Sequence, residues 1–346
     1  MKICLLANSA SGNALGRAYS HWLVARHLGW ETTVLVPEAE NLWAPVRDER
    51  EFTSNLTTDP NRATAGADAL MVTKPLPGSF DRGLSLSRRL AIPLVLDVDD
   101  PDWERVYGEA VPAIFASFIK RTARGSPPMN AYRLRWQARR AETVTVSNPA
   151  MHRWYGDAVV LPHARIARPA GREHVPRASL DVAFVGTARP HKGMTTLREA
   201  VRRAPATTLT ITSPPPPDAT PNERWVGRTS VTDGLDLVDR CDVVAVVSSP
   251  TVYGRGQLPV KLIDAMLSGR AVVASDLLPL RWALGDTGLV IPPDDVDALV
   301  RALESLQSAE LRADLGARAR QRAIGLFSVE AVGRVLSDVV GSAVGR

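Results

Sequence analysis

Three stretches of this chain carry charged and small residues at spacings that suit chemistry. The first is Val185-Gly186-Thr187-Ala188-Arg189-Pro190-His191-Lys192-Gly193. A strand-like run ends at Val185 and a helical pattern begins near Thr195, so Gly186, Thr187, Arg189 and Lys192 fall at the carboxyl end of a strand. Fixed positive charge beside free helix N–H groups suits a diphosphate; the alternative is a solvated loop with two cations. The second stretch runs from Ser249 to Leu258 and leads into Pro259, which suits the first position of a helix over Val260–Leu267 that stops at Gly269. Unpaired N–H groups near Leu258, Val260 and Lys261, with Gln257 just before them, can hold phosphate oxygens. One turn on, Asp264 can accept two hydroxyls of a ribose, or merely satisfy the helix dipole. The third stretch is Asp97-Val98-Asp99-Asp100-Pro101-Asp102 at the end of a strand. Its readings are hydrogen bonds to sugar hydroxyls, a set of helix caps and turn formers, or a divalent metal site. A weaker signal is the first strand-to-helix turn, Asn8 to Gly16, where Gly12 and Asn13 either let a ligand approach the backbone or make a plain tight turn.

Short β-branched runs alternate with amphipathic stretches along the whole chain. Strands are expected at Lys2–Ala7, Thr32–Val36, Ala69–Thr73, Pro93–Asp97, Thr143–Ser147 and Val159–Leu161, and again at Asp181–Val185, Thr208–Thr212, Asp242–Ser248, Ala271–Ala274 and Leu289–Ile291. Helices are expected at Ala14–Leu28, Phe80–Leu90, Val111–Thr122, Ala131–Ala141 and Pro149–Tyr155, then near Thr195–Arg203, Gly234–Asp239, Val260–Leu267 and Val296–Leu306. This alternation predicts parallel sheets covered on both faces. The pattern restarts after His163–Ser179, which lacks periodicity and reads as a linker between two doubly wound domains, 1–165 and 166–327. A final helix over 328–346 has the pattern to pack back on the first domain. Such domains bind ligands at the carboxyl ends of their strands.

The composition is that of a globular protein: 346 residues, 45% hydrophobic and 23% charged. No apolar run is long enough to span a bilayer, and the apolar start is too short for a secretory signal. Two cysteines, Cys4 and Cys241, exclude a disulfide framework and disfavour a cysteine metal site. A cytoplasmic protein is the expectation. The net charge is only +5, but between Glu109 and Glu142 there is no acid while Lys120, Arg121, Arg124, Arg133, Arg135, Arg139 and Arg140 are all present. That patch suits phosphate or anionic lipid, or is a solvated basic face.

Gly186 with Lys192-Gly193, followed about seventy residues later by Leu258-Pro259-Val260-Lys261-Leu262-Ile263-Asp264-Ala265-Met266-Leu267-Ser268-Gly269, resembles the retaining, nucleotide-sugar-dependent glycosyltransferases of family 4. The resemblance covers Asp181 to about Leu306. It implies the GT-B fold, with two Rossmann-like domains facing across a cleft, and hexosyl transfer from a nucleotide diphosphate sugar with retention. It implies no cofactor and no bound metal. Lys192 matches the family's diphosphate-binding lysine, and Asp264 matches the second carboxylate of its Glu-x7-Glu pair, which binds the ribose. The family's usual arginine is replaced by Thr187, so Arg189 is the candidate substitute. The first glutamate of the pair falls at Gly256, where Gln257 or a backbone group is left to act. Lys192, Arg189 and Asp99 are the catalytic candidates, and Gly12, Asn13, Asp97, Asp99 and Asp100 the acceptor-side or sugar-side candidates. His163 resembles the hinge after the last strand of the first domain.

The rivals are a GT-B-fold sugar-nucleotide epimerase, which would interconvert sugars without an acceptor, and a non-catalytic nucleotide-sugar-binding protein. A nicotinamide-dependent oxidoreductase is disfavoured because no Gly-x-Gly-x-x-Gly fingerprint occurs. Partners are then a nucleotide-sugar donor, a glycan, lipid-linked or small-molecule acceptor, and no nucleic acid. Residues 111–141 mix aromatic and basic residues and suit an anionic membrane surface, placing the protein on the inner face of the cell membrane.

Overall fold

The computed structural model describes residues 1–104, 133–204 and 206–345. The expected helix at Val111–Thr122 lies outside them, as do Lys120, Arg121 and Arg124 of the basic patch. Two compact units result: Met1–Ala164 with Val329–Arg346, and Arg165–Ser328.

In unit 1 the strands are β1 (Lys2–Ala7), β2 (Glu31–Leu35), β3 (Leu56–Thr57), β4 (Ala69–Thr73), β5 (Leu94–Val98), β6 (Thr143–Val146) and β7 (Val159–Val160), with α1 (Asn13–His27) after β1 and α2 (Arg82–Leu90) after β4. They pair in the order β3-β2-β1-β4-β5-β6-β7, every pairing parallel. β1, β4 and β5 are almost wholly apolar and buried on both faces, as central strands of a covered parallel sheet must be.

Unit 2 repeats the plan with β8 (Leu180–Phe184), α3 (Met194–Arg203), β9 (Thr207–Ile211), β10 (Glu223–Trp225), α4 (Val231–Arg240), β11 (Val243–Val246), α5 (Val252–Gly256), α6 (Val260–Leu267), β12 (Ala271–Ser275), α7 (Leu278–Leu284), β13 (Leu289–Ile291), α8 (Val296–Ser305) and α9 (Ala309–Phe327). The order β10-β9-β8-β11-β12-β13 is again parallel throughout. In each sheet the order reverses beside the first strand, between β1 and β4 and between β8 and β11. Loops part there and leave room for a ligand at the carboxyl ends.

Two features depart from the expectation. The segment after Ala164 is not a free linker but a strap laid along unit 2. The Gly171 N–H donates to the Ser268 carbonyl, Arg168 pairs with Asp239, and Arg172 reaches Asp242 at 3.2 Å. The second is α9, which the sequence pattern does not announce. Its buried side consists of Leu315, Gly316, Ala319, Ala323 and Phe327, with Arg312; small residues make a faint apolar stripe. They let α9 lie directly on α6 and β12.

The last helix, α10 (Val329–Val344), belongs to unit 1, where Val332, Leu336, Val339 and Val340 join the core formed by β1 and α1. No helix among the described residues is long and apolar enough to cross a membrane.

The close approach of α9 is testable. A Cβ on Gly316 would run into the Gly269 carbonyl, whereas one on Gly325 would meet open space. Gly316→Ala should therefore destabilise the protein by about 1–3 kcal/mol, and Gly325→Ala should stabilise it by about 0.5–1 kcal/mol. Urea unfolding of both variants checks this; equal shifts in one direction would contradict the packing.

Candidate functional site

In unit 1 the strand ends gather a dense set of charges. Asp97, near the end of β5, is fully buried. Arg17 reaches it from α1, with Nε 2.7 Å from Oδ2 and Nη2 2.8 Å from Oδ1, and Arg17 also donates to the Leu161 carbonyl. His21 Nε2 lies 3.0 Å from Oδ2, and the Thr145 hydroxyl donates to Oδ1 at 2.7 Å. Burial alone would push this carboxyl up, but the Arg17 guanidinium beside it holds it well below the usual carboxylate range. Asp97 is thus corrected from a sugar-side candidate to a structural anchor: both oxygens are taken inside the domain.

Asp99 and Asp100, the neighbouring candidates, are likewise drawn into the domain. Both are buried, and with Asp102 they surround the ammonium of Lys74, at 2.8, 2.7 and 3.1 Å. Lys74 follows β4 with a left-handed backbone, φ 79°, an uncommon conformation for a residue with a side chain. Burial works against its charge, yet Asp100, Asp99 and Asp102 hold its pKa well above the usual lysine value. The three carboxylates place one oxygen each within 4.8 Å of one another, and the ammonium stands among them where a cation would. Asn13, at the start of α1, donates to Asp100 at 3.1 Å, so the first turn is tied to this cluster, with Gly12 half-buried beside it. Sequence reasoning missed Lys74; a lysine directly after a buried strand, facing an acidic strand end, was the available signal.

In unit 2 the loop after β8 begins at Gly186, whose N–H donates to the Thr212 hydroxyl at 2.6 Å, and the Ala188 N–H donates to Ser213 at 2.9 Å. Thr187 and Arg189 are exposed. A single turn over 190–192 follows, and Gly193 then adopts φ 59° while packed against the Val247 backbone. A side chain there would be both strained and crowded, so glycine fixes how Lys192 enters the site. The His191 ring stacks on Tyr253 at 5.4 Å, and the Ser249 N–H donates to the His191 carbonyl. These contacts bring Lys192 beside the chain that leads into α6.

Pro259 is the N-cap of α6, and no side chain caps the helix. Leu258 is buried, Gln257, Pro259 and Val260 are half-buried, and Gly256 is buried at the end of α5. Lys261 does more than offer an amide: its whole side chain is buried, with Nζ over the Phe184 ring. Asp264 is half-buried, and its Oδ1 accepts from Arg165 Nε at 2.9 Å. A diol bound at Asp264 must share that carboxylate with Arg165. Sequence reasoning missed Arg165, which lay in the expected linker.

Residues 179–309 match the family model described as Glycosyl transferases group 1. That segment contains every unit 2 candidate named above. Phosphatidyl-myo-inositol mannosyltransferase of Mycolicibacterium smegmatis is 33% identical over 183 residues, which span 48% of this chain and 47% of that protein. The chain therefore matches about half the length of this relative. Among solved structures, Anabaena HepE in complex with UDP-glucose superposes with a TM-score of 0.74 at 14% identity, covering 99% of this chain and 100% of that one. Sucrose-phosphate synthase from Thermosynechococcus elongatus gives 0.69 at 16% identity, covering 98% of both chains. The fold is GT-B, as expected.

Burial, more than any other cause, pushes Asp99 up to about 7, against the pull of Lys74. Its unfolded value is about 3.9, so the proton is held more tightly in the folded protein. The stability this confers is complete below about pH 4 and is lost as pH rises to about 7. Asp99→Asn carries no such dependence. The melting temperature of the variant relative to the parent should rise between about pH 4.5 and pH 8; a constant difference would show that Asp99 is ionised throughout.

Proposed function

We propose that the protein is a glycosyltransferase that moves a hexosyl group from a nucleotide diphosphate sugar to an acceptor hydroxyl, with retention at the anomeric carbon. One observation carries the reading. Lys192, Lys261 and the uncapped start of α6 lie together at the strand ends of the segment that matches the glycosyl transferase model. Oriented N–H groups and lysine charge in a partly dry site stabilise charge that builds on a departing diphosphate. Solved relatives bound to UDP-glucose and to UDP support a nucleotide-sugar donor.

In this reading the bond from the anomeric carbon to the diphosphate oxygen breaks as the acceptor oxygen bonds to that carbon from the same face. The acceptor proton passes to the leaving phosphate. Lys192 holds that phosphate throughout, Arg189 adds charge from the exposed edge, and Asp264 holds the ribose. Gly256 supplies no carboxylate to the sugar, so Gln257 and backbone groups are left to bind it. No cofactor besides the donor is called for. An epimerase, which would need free cleft carboxylates, is the weaker reading, because the acids of unit 1 are engaged by Lys74 and Arg17.

For the acceptor we propose a lipid-linked or envelope molecule met at an anionic membrane surface. The mannosyltransferase relative is named for a lipid, and Trp136 stands exposed with Arg140 stacked on its ring at 5.1 Å. Against this, Leu134 is buried in the core and Arg133 is paired with Asp81. Flotation with anionic and neutral vesicles should show binding to the anionic ones at low salt only.

Lys192→Ala should weaken donor binding and slow transfer together, by about 1.5–3 kcal/mol. Unchanged binding and rate would place the phosphates elsewhere. Asp264→Asn should lower affinity for the nucleoside diphosphate by about tenfold. A 2′,3′-dideoxy analogue should bind parent and variant alike; a further loss on the variant would separate Asp264 from the ribose.

A further inference from the structure

Lys261 is 8% exposed, and its Nζ has no hydrogen-bond partner among the described residues. It lies 3.2 Å from the centroid of the Phe184 ring, at the end of β8. A ring face attracts a cation, but by less than it costs to strip an ammonium of its water. The charge that bears on it from the turn at 190–192 is Lys192, which is also positive. On its own helix, Asp264 commits an oxygen to Arg165. The contrast with Lys74, buried among three carboxylates, is plain. Burial first, and Lys192 second, push the Lys261 amine well below the usual lysine range.

Two further facts say what is missing. Lys261 sits in the first turn of α6, whose N–H groups have no capping side chain, and a helix start of that kind accepts an anion. Lys261 and an open helix start then share one demand for negative charge. We propose that the Lys261 side chain itself is a ligand of the diphosphate bound at α6, and that Nζ acquires its proton as the anion arrives. The proton comes from solvent or buffer acid, one N–H bond forms, and the resulting ammonium donates to phosphate oxygens. Binding is thereby coupled to proton uptake. This inference rests on the reading of α6 as the donor's diphosphate site.

Calorimetric titration of the full chain at about pH 8, in two buffers of different ionisation enthalpy, measures the protons exchanged. UDP, GDP, ADP and methyl diphosphate serve as probes, since each is fully ionised at that pH. The parent should take up protons on binding, in proportion to the fraction of Lys261 that is neutral in the free protein. Lys261→Met should take up none, with the dissociation constant raised roughly tenfold or more. Lys261→Arg, which stays charged, should bind without uptake, and circular dichroism of both variants establishes that they fold. Nucleoside diphosphates bound by the parent without proton uptake, or equal uptake by Lys261→Met, would overturn the role of Lys261 and leave the donor reading intact. Methyl diphosphate bound with uptake while no nucleoside diphosphate binds would sustain Lys261 and remove the donor reading. Binding by none of the probes would remove both.

Discussion

A charge taken out of water needs a partner, and this constraint organises both units. In unit 1 the demand is met within the fold. Asp97 gathers Arg17 and His21 from α1, Thr145 from β6 and, through Arg17, the Leu161 carbonyl. One carboxylate thus holds a helix, two strands and the end of the sheet in fixed relation, and removing any partner would leave a buried ion exposed to its full desolvation cost. In unit 2, Asp242 plays a comparable part, facing Arg172, Arg177 and Arg312. Lys261 is the exception, since its charge finds no such partner among the described residues.

The two strand-end regions therefore differ in kind. Around Lys74 the protein has placed positive and negative charge together. Around Lys261 it has buried an amine within reach of the Lys192 charge, and no carboxylate bonds to Lys261 among the described residues. The backbone is shaped to match: Gly193 turns tightly against Val247, and Pro259 starts a helix without a capping side chain. Local stability has been given up where a ligand is able to restore it.

Much of this was legible from residue order. The alternation of strands and helices foretold two parallel sheets, because central strands buried on both faces must be continuously apolar. Pro259 and Gly269 bounded α6, since proline fits a helix start and glycine at φ 68° ends it. What was not legible depended on distant partners. Asp97 looked like one of four equivalent acids, yet Arg17 and His21, one turn apart on α1, claim it alone. Lys261 was read as an amide donor because no rule of spacing tells whether a helical lysine points to water or onto an aromatic ring contributed by a strand about seventy-five residues earlier. Helix α9 was missed because alanine and glycine bury little area and leave a weak pattern, even where they permit the tightest packing.

The chain enters unit 2 at Arg165 and leaves it at Ser328, and these two residues form a β-bridge. The ends of the unit therefore meet. An insert closed at its neck can be exchanged as a whole without lengthening or breaking its host, as tolerated domain insertions show. Unit 2 has the architecture of a cassette: a lineage could replace this module while keeping intact the module anchored on Asp97. Since Arg165 also pairs with Asp264, any such exchange would carry the neck and that carboxylate together as one heritable piece.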